Sequence, residues 1–169
     1  MDVYDAIRQR RSVREFEDRA VEDDVLTRVL EAGILAPTGR NTQEWKYVVV
    51  RDAETIGRLA GAAEQEFIAK APLVVAVVSL DPAREMYCGI QAGPVDCAIV
   101  IDHMTLASVA EGLGSCWIGH FDQDKCRAIL DVPPPAKIIE MLVMGYPADT
   151  PGEKKRKSPA ELICWEKFS

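Results

Sequence analysis

The spacing of apolar residues predicts alternating helices and strands along the chain. Apolar residues three or four positions apart mark an amphipathic helix over residues 21–35, which Ala36-Pro37 ends. Runs of β-branched and aromatic residues predict strands over residues 45–50, 73–80, 115–118 and 138–145. The run 73–80 is almost purely apolar, as expected for an interior strand that is buried on both faces.

Helical patterns occupy much of the remaining chain, over residues 2–10, 52–70, 95–111 and 122–130. Asp52 is expected to cap the helix that follows it. The helix over residues 95–111 is apolar nearly all round, so it needs partners on every side, and a second subunit would supply them. These elements predict an α+β fold in one domain over residues 1–169, with a central mixed sheet of about four to five strands flanked by helices.

The C-terminal part of the chain has a different composition. Residues 147–159 are rich in proline, glycine and lysine and are expected to be extended. Residues 162–165 are apolar again and include Trp165. Such a segment is expected to dock on another surface, for example that of a second subunit.

Composition excludes several classes of protein. A net charge of -7 argues against binding to nucleic acid and to anionic membrane surfaces. No signal peptide is visible, and the apolar stretch 95–113 carries too many polar groups for a membrane span. Five cysteines without a C-x-x-C pair favour reduced thiols in a cytoplasmic protein. The two histidines lack the spacing of metal ligands, so no metal site is expected.

Two basic clusters stand at opposite ends of this acidic chain. They are Arg10-Arg11-Ser12-Val13-Arg14 and Lys154-Lys155-Arg156-Lys157, and they hold seven of the 20 Lys and Arg residues. Arginine presents a planar fork that fits a phosphate, so the clusters are candidates for binding a compact anion. The alternative is two solvated runs of charge.

Two further segments are candidates for ligand binding. The loop over residues 36–45 is dense in small, polar and turn-forming residues, and such loops hold ligands on a rigid scaffold. In the segment 111–121, Gly119 would let a backbone N–H approach a flat ligand closely. The alternative is that the polar groups of both segments satisfy turns and caps. No nucleophile elbow and no glycine-rich phosphate loop is present.

In this order, and together with Gly145-Tyr146-Pro147, these motifs resemble the nitroreductase family of flavin enzymes over nearly the whole chain. The resemblance implies an FMN-dependent homodimer with its active sites at the dimer interface. It also implies that the tail over residues 147–169 is exchanged with the partner subunit.

The resemblance assigns site residues position by position. Arg10, Arg11, Ser12 and Arg14 match the N-terminal FMN-binding segment, and Lys154 and Arg156 match a C-terminal pair that closes on the phosphate. Pro37, Thr38, Gly39 and Asn41 match a loop contributed by the partner subunit, and Ile118 and Gly119 match the backbone beside flavin N5. No side chain is assigned a catalytic role, because the flavin carries the redox chemistry.

Some positions depart from the family pattern. Glu44 stands where the family commonly has proline, and His120 stands where a small residue is usual. His120 is a candidate for contacting substrate or protonating product, and the alternative is a histidine without a role. The polar contact to the flavin ring that relatives place near Glu64 and Gln65 stays open.

The function that the resemblance implies is hydride transfer from NADH or NADPH, through flavin N5, to a small acceptor such as a nitroaromatic or a quinone, in a ping-pong order. Two alternatives keep the flavin: an enzyme of different chemistry, such as reductive dehalogenation, and a non-catalytic flavin-binding protein. A third, a partner-binding domain, has no flavin at all.

Overall fold

The computed structural model describes residues 1–149, 152 and 154–168. Its core is a four-stranded sheet in the order β1-β2-β4-β3. The strands are β1 Trp45–Val50, β2 Leu73–Ser79, β3 Gly114–Ile118 and β4 Lys137–Gly145. Each pair of neighbouring strands is antiparallel. The α+β class and the strand positions are therefore confirmed. The predicted mixed sheet is wrong, because these four strands pair only in antiparallel fashion. Among the described residues, parallel pairing occurs as an isolated bridge between Ser12 and Ser115.

Six α-helices surround the sheet in the described part of the chain. They are α1 Val3–Gln9, α2 Asp23–Ile34, α3 Ala53–Ala63, α4 Ala92–Ala110, α5 Gln123–Ile129 and α6 Pro159–Leu162. The side chains of Asp2, Asp52 and Asp122 accept hydrogen bonds from backbone N–H groups in the first turns of α1, α3 and α5.

The helix predicted over residues 52–70 is broken in two. It ends at Ala63 because Glu64 takes a left-handed conformation, with φ 54°. A separate 3₁₀ turn then covers Glu66–Lys70. This break turns the segment after α3 toward the end of β3.

The sheet is covered on both faces, as predicted. One core contains side chains of α3 and α5 packed on β2 and β4, among them Leu59, Cys126 and Met141. The other contains side chains of α2 and α4, among them Val29 and Met104. With both faces occupied, the sheet leaves its edges and strand ends for other chain segments.

The N-terminal segment runs along the β3 edge and carries the first basic cluster with it. Val13 is buried, and its N–H donates to the Ser115 carbonyl at 2.9 Å. A Cβ on Gly114 would lie 2.6 Å from Val13 Cγ2, so the close approach depends on this glycine. Further along, Phe16 pairs with Pro147 just beyond β4. The two ends of the chain therefore meet at this edge.

The extension predicted for residues 147–159 falls partly outside the described residues. In the described part, α6 begins with a capping box between Ser158 and Glu161. The apolar side chains beyond it do not dock on their own protomer: Trp165 is 84% exposed and Phe168 is fully exposed.

Candidate functional site

The two basic clusters meet in space although they are about 140 residues apart. Lys154 Nζ donates to the Ile7 carbonyl at 2.7 Å, which fixes the tail against α1. Arg11 Nε donates to the Gly152 carbonyl at 3.4 Å. Partial burial lowers the pKa of Lys154, and the charges of Arg10, Arg156 and Arg11 lower it further. Four cations therefore share one small region.

No carboxylate of the described residues pairs with these four cations. Among the described residues, neither Arg10, Arg11, Lys154 nor Arg156 forms an ion pair. Their polar contacts with the chain are to backbone carbonyls, as in the donation from Arg156 to the Lys155 carbonyl at 2.7 Å. A cluster of like charges held by neutral groups is suited to a polyanionic ligand such as a phosphate.

Ser12 and Arg14 continue the site along β3. Burial raises the pKa of the Cys116 thiol, and the nearby Arg14, Ser12 and Arg10 act in the opposite direction. The Arg14 guanidinium lies over the Phe67 ring, 5.9 Å from its centroid. Phe67 belongs to the 3₁₀ turn after α3, so Arg14 links the N-terminal segment to that turn.

Gln65 connects the same turn to the end of β3. Its side-chain amide donates to the His120 carbonyl at 3.3 Å. A cavity of about 300 Å³ is lined by Ala62, Glu64, Gly119, His120, Phe121, Asp122 and Lys125. The predicted residues Gly119 and His120 and the open region at Glu64 and Gln65 are therefore neighbours. The Ile118 side chain is buried in the core, so only its backbone is available to a ligand here.

Sequence reasoning missed Glu140, which lies beside Gly119. A Cβ on Gly119 would be 2.9 Å from Glu140 Oε1, so the glycine leaves room for this carboxyl group. Burial raises the pKa of Glu140, and its Oε2 atom is buried without a hydrogen-bond partner among the described residues. The available signal was a lone acidic residue within the otherwise apolar run of β4.

The predicted loop at Pro37, Thr38, Gly39 and Asn41 is held by contacts that do not involve the basic clusters. Thr38 Oγ1 accepts the Gln43 N–H at 3.1 Å, so the turn-forming alternative holds for this hydroxyl. The Gly39 N–H donates to Asp96 on α4 at 3.0 Å. Among the described residues of one protomer, no hydrogen bond or ion pair joins the loop to the basic clusters.

Comparison with known proteins identifies the family. The model of the Nitroreductase family matches residues 7–72 and 60–146. This protein belongs to that family, as the sequence motifs predicted.

Three relatives illustrate the similarity. A "Putative NADH dehydrogenase/NAD(P)H nitroreductase" of Methanothermobacter thermautotrophicus is 28% identical, over 96% of this chain and 86% of the relative. An "FMN reductase [NAD(P)H]" of Bacillus subtilis is also 28% identical, over 96% of this chain and 72% of the relative. The crystal structure of a nitroreductase family protein from Clostridium difficile superposes with a TM-score of 0.90 at 32% identity, covering 99% of this chain and 100% of that one.

The described residues contain no group of three or more His, Cys, Asp or Glu side chains able to hold a metal ion. None of the helices described has the length and apolarity needed to cross a membrane.

Proposed function

We propose that this protein is an FMN-dependent NAD(P)H oxidoreductase that passes reducing equivalents to a small acceptor such as a nitroaromatic or a quinone. The names of the relatives confirm the enzyme class and the two cofactors predicted from the sequence. The observation that carries the proposal is the meeting of Arg10, Arg11, Lys154 and Arg156 at one edge of the sheet, where no described carboxylate pairs with them.

The residues present fit FMN. The four cations suit its phosphate dianion, because each N–H donated to a charged oxygen forms a strong hydrogen bond. Arg14 adds a further positive charge beside Phe67. When bound, the flavin supplies two-electron redox chemistry. The chain would bind and orient it, and the Arg14 charge would stabilise negative charge on its pyrimidine edge.

The proposal includes a homodimer. Val95 on α4 is 37% exposed although this helix is apolar nearly all round, and the tail presents Trp165 and Phe168 to solvent. A second subunit would cover these groups and bring its loop at residues 37–41 to the flavin. The tail over residues 147–169 would wrap the partner. We place the protein in the cytoplasm, with donor and acceptor using the same face of the flavin in turn.

The visible spectrum of the purified protein tests the proposal. We expect a yellow protein that releases FMN on acid treatment, identified by chromatography, with one FMN per subunit. Anaerobic addition of NADH or NADPH should bleach it, and an added quinone or nitroaromatic should restore the colour.

Two results would contradict this function. A colourless protein that also fails to bind added FMN would show that the protein does not use this cofactor. FMN binding without reduction by either nucleotide would instead identify a non-catalytic flavin-binding protein.

A further inference from the structure

Arg84 joins three parts of the chain through its guanidinium group. Nε lies 2.9 Å from Glu44 Oε2. Nη2 donates to Asp96 Oδ2 at 2.8 Å and to Thr42 Oγ1 at 3.1 Å. The side chains of Arg84 and Asp96 are only 23% and 10% exposed, so this ion pair is largely shielded from water. We call Arg84, Asp96, Glu44 and Thr42 the Arg84 clamp.

The clamp contacts the loop over residues 38–44 at both ends. At one end, the Asp96 oxygen that is not paired with Arg84 accepts the Gly39 N–H at 3.0 Å. At the other end, Thr42 and Glu44 contact Arg84 directly. Asp96 is fixed on α4, and the backbone of Arg84 is fixed by donation of the Ala92 N–H to its carbonyl at 2.8 Å. The loop is therefore tied to a rigid element.

The loop backbone needs such support. Arg40, Asn41 and Gln43 all have positive φ, at 58°, 56° and 52°. Residues other than glycine adopt this left-handed conformation only when their surroundings hold them there. Arg84 and Asp96 supply side-chain contacts to the loop from other elements, and the Leu80 N–H also donates to the Glu44 carbonyl at 3.0 Å.

The charges of the clamp depend on one another. Two carboxylates, Glu44 and Asp96, face a single guanidinium. Without it, the largely buried Asp96 carboxylate would lose its counter-charge, and Glu44, whose side chain is 41% exposed, would add a second negative charge. Removing one partner of a buried ion pair is strongly unfavourable. Loss of the Arg84 charge should therefore open the loop rather than leave it in place.

We propose that Arg84 is a positioning residue for the flavin site, which holds residues 38–44 in the shape that binds FMN without touching FMN itself. The inference rests on the proposed function, in which this loop completes a flavin site. Arg84 then determines cofactor affinity from outside the site, through Asp96 and the Gly39 amide.

The test compares Arg84→Gln with Arg51→Gln. Arg51 also pairs with a carboxylate, Asp23, but at an exposed position outside the clamp, so its substitution changes the net charge equally. FMN is titrated into each apoprotein and its fluorescence quenching gives Kd. Arg84→Gln should weaken FMN binding by roughly 10- to 100-fold, the range seen when groups that support metal ligands are removed. Arg51→Gln should leave Kd within about twofold, because exposed ion pairs contribute little.

A second readout does not need FMN. Hydrogen exchange of the apoprotein should show faster exchange of the Gly39 amide and of residues 38–44 in Arg84→Gln, and no change in Arg51→Gln. Adding Glu44→Gln to Arg84→Gln should recover part of the FMN affinity, because it removes one of the two like charges. If Arg84→Gln does not fold, Thr42→Ala and Glu44→Gln each remove one contact and should show the same loop exchange on a smaller scale.

Failure of the inference is distinguishable from failure of the proposed function. If the wild-type protein does not bind FMN, the proposed function falls and the role of Arg84 with it. If the wild type binds FMN and Arg84→Gln binds it equally well, only the inference is overturned. Faster loop exchange with an unchanged Kd would likewise overturn it, because the loop shape would then not matter for FMN.

Discussion

At the scale of single residues, the candidate site depends on charges that have no ion-pair partner in the described part of the chain. Arg10 and Arg156 come from opposite ends of the chain, and both lower the pKa of Lys154. Glu140 is the reverse case, a carboxyl group placed in a partly buried position beside Gly119. Removing the charge of these arginines and removing the charge of Glu140 give two separate predictions.

Replacing Arg10 or Arg156 with alanine should weaken FMN binding. A hydrogen bond to a charged group is worth roughly 1.5–3 kcal/mol. Each variant should therefore lose roughly 10- to 150-fold in affinity, at about 1.4 kcal/mol per factor of ten. Fluorescence titration measures the loss, and the double variant should lose less than the sum of the two because both side chains serve one anion.

Two controls test whether that site is specific. Riboflavin lacks the phosphate, so it should bind the wild type poorly and lose little more in either variant. Lys155→Ala and Lys157→Ala remove exposed charges from the same tail and should have little effect. Equal losses in all four variants would mean that the positive charge acts diffusely.

Replacing Glu140 with glutamine should stabilise the protein at neutral pH. Burial raises the pKa of Glu140 above its usual 4.5, so the folded state holds a proton that the unfolded state has already lost. The free energy of unfolding of the wild type therefore decreases as pH rises from below 4.5 through the raised pKa of Glu140. Glutamine does not titrate, so the variant does not lose this stability. The gain should be about 1 kcal/mol at most, because the side chain is only partly buried.

Urea denaturation of the apoprotein at pH 7 and near pH 4 measures this effect. The advantage of Glu140→Gln should shrink at the lower pH, where the wild-type carboxyl group is protonated as well. A variant that is less stable than the wild type at pH 7 would show that the carboxylate has a favourable partner there.

At the scale of elements, the N-terminal segment and β3 form one unit. The first basic cluster is held in place because Val13 packs against Gly114 and bonds to Ser115. The position of the arginines is therefore set by a glycine that carries no charge and touches no ligand.

Gly114→Ala should displace that segment and weaken FMN binding. The new methyl group would lie 2.6 Å from Val13 Cγ2, so one of the two must move. Overpacking of this kind typically costs about 1–3 kcal/mol. The control is Gly57→Ala on α3, where a Cβ meets nothing within 4 Å and should add about 0.5–1 kcal/mol of stability. Thermal unfolding and FMN titration of both variants would measure these effects. Unchanged FMN affinity in Gly114→Ala would contradict the role of Gly114 in positioning the N-terminal arginines.

The bounds of the strands could be predicted from the local sequence pattern. β1 falls on the predicted residues 45–50, and the other strands begin or end within one residue of the prediction. The break at Glu64 was not readable, because a non-glycine residue in the left-handed conformation leaves no mark in the apolar pattern. That missed break is what brings Gln65 and Phe67 to the site.

The contacts missed within the site share a physical cause. Arg84 and Thr42 are 42 residues apart, and Gly39 and Asp96 are 57 apart. Asp96 lies within a largely apolar helix that also carries Asp102 and His103. Only tertiary packing pairs such residues, whereas the basic clusters and Gly119 stood out as local motifs.

At the scale of the whole molecule, one protomer leaves apolar surface uncovered. The exposed aromatic side chains of the tail lie beyond α6, and α4 has no fully polar face to turn toward solvent. Dimerisation would bury both kinds of surface and complete the flavin site in one step.

Trp165→Ala should weaken the dimer and lower its flavin content. The indole is 84% exposed in the protomer, so its loss should not destabilise the monomer fold. Light scattering at micromolar concentration, with the flavin-to-protein absorbance ratio, measures both effects. Val49→Ala, which shortens an exposed apolar side chain on β1, is the control. A stable, flavin-loaded wild-type monomer would refute the dimer.

The meeting of the two chain ends has a consequence for biosynthesis. Lys154 and Arg156 are translated long after Arg10 and Arg11. In the proposed holoprotein, a nascent chain lacks half of its phosphate site until the second basic cluster has been made. Cofactor loading would then be a late event, and chains truncated before the tail would stay empty. Retained flavin would thus mark chains in which the tail had been translated.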